Sequence, residues 1–209
     1  MTVDQPAPSG RDLDALRSAL AGARAEPPLG RAGLAAWEAR HGIVLPEPYR
    51  TFVADIANGL TAGATEHAGA DRPSTEYGLL PLGRLPDGWR TWNSVNWLCP
   101  VPFDGSAPRD PAAPFPLTEE WQWEYDYDPD EDLARMTVLH RHGSVVLGTE
   151  SPGSFWVLVT AGPRRGTVWL LADGGAFPRP DPDEAPAGPP GFAGWLAGWS
   201  ACRGRWEAR

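Results

Sequence analysis

The sequence predicts an α+β fold: a single domain in which a twisted, mostly antiparallel sheet is flanked by N-terminal helices and closed by a Trp-rich C-terminal helix. Three observations predict it. Apolar residues recur at helical spacing in three stretches between residues 12 and 56. Three short apolar runs, separated by brief Gly- and Pro-containing turns, lie between residues 143 and 172. The last stretch sets Phe192, Trp195, Leu196, Trp199, Cys202 and Trp206 on one helical face. With 209 residues, 42% of them hydrophobic, the chain is long enough to bury a core without disulfides or metals.

Residues 1–10 read as disordered. Asp12 is placed to cap a short helix carrying Leu13, Leu16 and Leu20, which Glu26-Pro27-Pro28 breaks. A second helix is expected from Leu29 to Arg40, burying Leu34 and Trp37, with Gly42 ending it. Ile43-Val44-Leu45-Pro46 is an extended link. Pro46 or Pro48 opens a third helix striped by Tyr49, Phe52, Val53 and Ile56 and stopped by Asn58-Gly59. Tyr77–Leu82 reads as a short strand. Residues 83–142 are Pro-rich and irregular, longer than an ordinary connection. A three-stranded meander follows at 143–149, 154–160 and 166–172, its middle strand apolar on both faces and so covered on both sides. Residues 178–191 read as a Pro/Asp loop before the closing helix. The expected division is therefore a start with one short helix (1–28) and the main domain (29–209), which contains the enlarged middle region (83–142).

Composition excludes several functions. The N-terminus has neither the basic nor the apolar region of a signal peptide, and no apolar run approaches the roughly 18 residues needed to span a membrane. The expectation is a cytoplasmic protein whose two cysteines, Cys99 and Cys202, are buried thiols, with a disulfide between them as the alternative. A net charge of −9 argues against nucleic acid as a partner.

That charge is concentrated. Residues 119–132 (EEWQWEYDYDPDED) hold eight of the 27 acidic residues and no base; the other 19 acids face 18 arginines. Trp121, Trp123, Tyr125 and Tyr127 alternate with Gln122, Glu124, Asp126 and Asp128, so a strand here would carry aromatics on one face and acids on the other. The aromatics are expected to be more buried than Glu120, Glu124, Asp126 and Asp128. Eight clustered like charges repel one another, which favours a surface that meets something basic. The bland alternative is an edge strand whose aromatics pack inward while its acids are merely solvated.

The order of elements resembles the SUKH superfamily, in the SMI/KNR-type branch named after a yeast regulator of cell-wall glucan synthesis. The residues that carry the resemblance are Ile43-Val44-Leu45-Pro46 with Tyr49 and Phe52, Asn58-Gly59, and Gly78-Leu79-Leu80-Pro81-Leu82. They continue with Gly143-Ser144-Val145-Val146-Leu147-Gly148, Gly166-Thr167-Val168-Trp169, and Phe192 with Trp195, Leu196 and Trp199. Together they span about residues 29–200. Two features depart from the family pattern: Leu60 where Asn-Gly-Gly is common, and the enlarged middle. The resemblance implies a SUKH-like domain and a binding role rather than catalysis. Bacterial members are commonly immunity proteins that neutralise toxins, often nucleases, and eukaryotic members are regulatory scaffolds.

The partner-binding candidates are accordingly Glu119, Glu120, Glu124, Asp126, Asp128, Asp130, Glu131 and Asp132 with Trp121, Trp123, Tyr125 and Tyr127, and the expected partner is a basic toxin domain. Two other readings stand beside it: a scaffold for a cellular protein, and an enzyme acting in a groove of the middle region. Catalytic residues, cofactors and metals are assigned none. The Asp126/Asp128/Asp130/Asp132 run fails as a calcium loop, because Glu131 and Thr137 occupy the positions that need Gly and Glu. His140 and His142, which would share one face of a strand, lack the further ligands of a zinc site. Ser151-Pro152-Gly153-Ser154 and Ala172-Asp173-Gly174-Gly175 read as turns rather than a nucleophile elbow or a phosphate loop. Cys99 has no activating base in view. Trp89, Trp92, Asn93, Asn96 and Trp97 form a second aromatic–polar cluster, read mainly as core.

Overall fold

The computed structural model describes residues 7–61, 79–86, 89, 108–122, 129–151, 154–172, 174–179 and 191–207. Helix α1 (Gly10–Ala19) begins one turn earlier than Asp12 suggests. Ser9 is the N-cap, and Asp12 sits at the third helical position, where its carboxylate accepts from the Ser9 backbone N–H at 2.8 Å. The pair forms a reciprocal capping box. The Ser9 hydroxyl and then the Ser9 N–H hold the Asp12 carboxyl below its usual range. Leu16 enters the main core.

Helix α2 spans Arg31–His41 and, as expected, Gly42 ends it in the left-handed conformation. Leu34 is buried, whereas Trp37 is only half-buried and lies against His41, with ring centroids 4.2 Å apart. The link to α3 (Tyr49–Asp55) is tied down by a side chain to which the sequence reading gave no role. Glu38, 7% exposed, accepts from the Leu45 N–H and from Arg50 Nε, both at 2.9 Å. Its second oxygen accepts from the other arm of the guanidinium at 3.1 Å. A carboxylate this deep is stable only when its lone pairs are used in this way.

The first sheet is a short pair, β1 (Arg24–Ala25) with β2 (Leu60–Thr61). The second has five strands: β3 (Trp121–Gln122), β4 (Ser144–Ser151), β5 (Ser154–Val159), β6 (Val168–Ala172) and β7 (Gly175–Arg179). Their order is β3-β7-β6-β5-β4, with every neighbour antiparallel. The meander of β4, β5 and β6 matches the expectation. Strand β7 corrects it: the loop expected from 178 begins as a strand, and Pro178 lies opposite Trp169. Residues 180–190 lie outside the described residues. The segment expected as a strand at 77–82 is, in its described part, an extended connector rather than a strand. It splices the two sheets, because Leu60 N–H donates to the Leu79 carbonyl at 2.6 Å and Leu80 N–H to the Leu147 carbonyl at 2.7 Å. Asn58 Oδ1 accepts from the Leu82 N–H at 2.9 Å, so the Asn58-Gly59 and Leu79–Leu82 motifs meet in space.

Helix α4 (Pro129–Arg141) is the largest correction, since residues 83–142 had read as irregular throughout. The sheet is thereby covered on both faces. Leu158, Val168, Val145 and Leu147 join a core with α1, α2, α3 and the closing helix α5 (Phe192–Glu207). Phe155, Val157, Val159, Trp169 and Leu171 face the other way, onto Met136 and Leu139 of α4 and onto Phe115. Strand β5 is thus an interior strand, one in from the β4 edge, and covered on both faces as its continuous apolar run predicts. In α5, Phe192 meets the rings of Tyr49 and Phe52 edge-on at 4.9 and 5.0 Å. Trp195 and Leu196 are buried and Trp199 is half-buried; the side chains of Cys202 and Trp206 lie outside the described residues. Among the described residues no helix is long and apolar enough to cross a membrane.

Candidate functional site

The acidic segment begins at one edge of the five-stranded sheet. Strand β3 reaches that place by pairing Trp121 with Ala176 and Gln122 with Gly175. Glu119 and Glu120 precede it and are exposed, Trp121 is half-buried against the α4-side core, and Gln122 is exposed. Of the expected inward–outward ordering, the described pair Glu120 and Trp121 follows it. Trp123, Glu124, Tyr125, Asp126, Tyr127 and Asp128 lie outside the described residues.

Beyond them the expected strand gives way to α4. Pro129 starts this helix, where its missing N–H does no harm, and Asp130, Glu131 and Asp132 fill the first turn. Carboxylates there are stabilised by the unpaired N–H groups of the helix start. Glu131 and Asp132 therefore have a local structural reason to be acidic. Glu131 is exposed and Asp132 half-buried.

Arg135 joins the two parts. Its guanidinium lies 3.2 Å from Glu131 Oε1, one helical turn back, and 5.4 Å from the centre of the Trp121 ring. Arg135, Pro116, Leu117, Thr118, Glu119, Glu120 and Trp121 line an open cleft of about 330 Å³. The Arg164 guanidinium, from the β5–β6 turn, holds the Thr118 carbonyl and fixes the wall of the cleft to the sheet. The cleft combines an aromatic wall, carboxylates at the rim and one cation already seated.

A second cluster anchors the far end of α4. Arg109 is half-buried. It donates to the His140 carbonyl at 2.9 Å and to the Ser144 carbonyl and hydroxyl at 3.0 and 2.9 Å, and it lies 4.7 Å from the centre of the Trp89 ring. Burial lowers its pKa to about 10. His140 is fully buried, with ring centroids 4.9 Å from Trp89 and 6.2 Å from Phe155, and Nδ1 lies 2.9 Å from the Met136 carbonyl. It is a core histidine on a helix rather than one of a strand pair with His142. Trp89 is core, as read; Trp92, Asn93, Asn96, Trp97 and Cys99 lie outside the described residues. Among the described residues no three His, Cys, Asp or Glu side chains come together as metal ligands.

This environment makes a pH prediction. Burial, with help from Arg109, outweighs the Met136 bond and lowers the His140 pKa to about 4. In the unfolded chain the ring protonates near the ordinary value of about 6.5. As pH falls from about 6.5 toward about 4, the unfolded state takes up a proton that the folded state refuses, so stability is lost across that window. The loss from this group between pH 7 and pH 5 comes to about 2 kcal/mol. In His140→Leu the difference between urea-unfolding free energies at the two pH values is expected to shrink by that amount. An unchanged difference would mean that the ring is not held neutral.

The sequence reading missed Arg135 and Arg109 because it missed α4. The signal was present: Asp128-Pro129-Asp130-Glu131 is a helix-start pattern, followed by Leu133, Met136, Leu139 and His140 at helical spacing. Compared with protein-family models, curated proteins and solved structures, the chain matches none.

Proposed function

We propose that this chain is a non-catalytic, SUKH-type protein-binding module that acts in the cytoplasm as an immunity protein, neutralising a cognate toxin with a basic surface. The observation that carries the reading is the edge at β3. Exposed Glu119 and Glu120 flank the half-buried Trp121, and Arg135 links them to the acidic first turn of α4. A nuclease toxin must expose a basic cleft to hold phosphates, and an acidic edge can occupy that cleft in their place. Opposite fields speed encounter, and a rigid aromatic beside the acids supplies an anchor of the kind that dominates interface energies. The arrangement of the motif residues also supports it, since Asn58-Gly59 and Leu79–Leu82 have a joint structural task in splicing the sheets.

The test is to look for a nuclease-like toxin domain in the neighbouring gene and to co-express this chain with it. Growth should be rescued by the natural sequence. A variant with Glu119, Glu120 and Glu124 changed to Gln and Asp126 and Asp128 changed to Asn should associate about tenfold more slowly at low salt, with a flattened salt dependence. Absence of rescue by the natural sequence overturns the immunity reading. Unchanged association in the variant moves the contact away from this edge.

A further inference from the structure

We propose that the cleft between β3 and α4 is a guanidinium seat, occupied in the free protein by the chain's own Arg135 and taken over in the complex by an arginine of the partner. The proposal rests on the reading of this edge as a contact surface and names the side chain that the surface selects.

Arg135 shows what the cleft accepts. Its guanidinium lies over the Trp121 ring at 5.4 Å while one nitrogen meets the Glu131 carboxylate at 3.2 Å. An aromatic face and a carboxylate set side by side are the two contacts that a planar, weakly hydrated guanidinium makes together and a compact ammonium does not. The Arg135–Glu131 pair is held loosely, because Glu131 is 70% and Arg135 39% exposed, so solvent screens it and a competitor can displace it. Room for the competitor exists: the cleft stays open with Arg135 in place, and Glu119 and Glu120 at its rim supply further carboxylates for an incoming cation. The wall does not collapse when Arg135 leaves, since Trp121 is held by β7 on its own strand and Thr118 by Arg164. Exchange of one guanidinium for another keeps the aromatic contact made throughout and gives the surface a preference for arginine over lysine.

The experiment compares two probes of equal length and charge, hexa-arginine and hexa-lysine peptides, binding to the full chain at low salt by titration calorimetry. The arginine peptide is expected to bind roughly three- to tenfold more tightly. In Trp121→Leu the two Kd values should come within about twofold of each other. In Arg135→Gln the gain in affinity should be larger for the arginine peptide, because its competitor is gone, so the arginine-to-lysine ratio rises even if lost positive charge helps both. Equal binding of the two peptides to the natural sequence overturns the guanidinium seat and leaves the acidic contact surface standing. A ratio unchanged or lowered in Arg135→Gln also overturns it. If neither peptide binds, the contact-surface reading falls with it.

Discussion

Gly143→Ala is expected to destabilise the protein by about 4 kcal/mol. Gly143 sits between α4 and β4 with φ of +68°, and a Cβ there would lie 2.2 Å from the Phe115 nitrogen and 2.8 Å from the Ala113 carbonyl. Those neighbours are backbone and cannot rotate away. They are also tied in place. The Gly143 N–H donates to the Asp110 carbonyl and its own carbonyl accepts from Thr160, while Phe115 N–H donates to Ala161 and Asp110 N–H to Arg141. The methyl group therefore has to pull apart the junction where the 108–115 segment clasps the end of α4 to the sheet. Gly42→Ala is the control. It has nearly the same φ, +65°, but open space around it, so it carries only the conformational term of about 1 kcal/mol. Urea denaturation of both variants separates the two contributions, and equal losses would refute the close-approach argument.

Gly175→Ala is expected to cost about 3 kcal/mol and to release β3 from the sheet. A Cβ at Gly175 would meet the Trp121 carbonyl at 2.1 Å and the Gln122 Cα at 2.9 Å, at the position where these strands pair. The strain falls on the edge and spares the pairing of β4, β5 and β6. Hydrogen exchange should then show faster exchange at Trp121 and Gln122 with the meander still protected, and association with the proposed partner should weaken more than the stability loss alone requires. Binding at the natural rate by a folded Gly175→Ala protein would separate the function from the seating of β3.

The fold was legible wherever one period dominates. The meander could be read because β5 is apolar on both faces and its turns carry Gly and Pro; α2 and α3 could be read because their apolar spacing ends on Gly42 and Asn58. What was missed lay under a competing signal. Pro178 argued against a strand, yet β7 accommodates it where β3, pairing only at Gly175 and Ala176, has already ended. The acidic-aromatic alternation drew attention to period two across 119–128 and hid the change to helical spacing from Pro129. Of the site, the acids and Trp121 were visible as types in a row. Arg135 was not, because its place on Trp121 depends on a helix bringing it back to a strand fourteen residues earlier. Arg109 was hidden for a related reason: its acceptors, two main-chain carbonyls and the Ser144 hydroxyl, lie thirty or more residues away, and a carbonyl leaves no mark in side-chain chemistry.

The splice at Leu79 and Leu80 bears on how the chain can be divided. Leu60, Leu79, Leu80 and Leu147 form one uninterrupted relay of main-chain bonds, so the N-terminal helical part and the meander share a ladder as well as a core. A shortened version starting after Thr61 would leave the Leu79 carbonyl without its donor and strip α1, α2 and α3 from one face of β5. The smallest unit that can carry the acidic edge is therefore close to the full sequence, and the edge cannot be transplanted as a minimal peptide-like module.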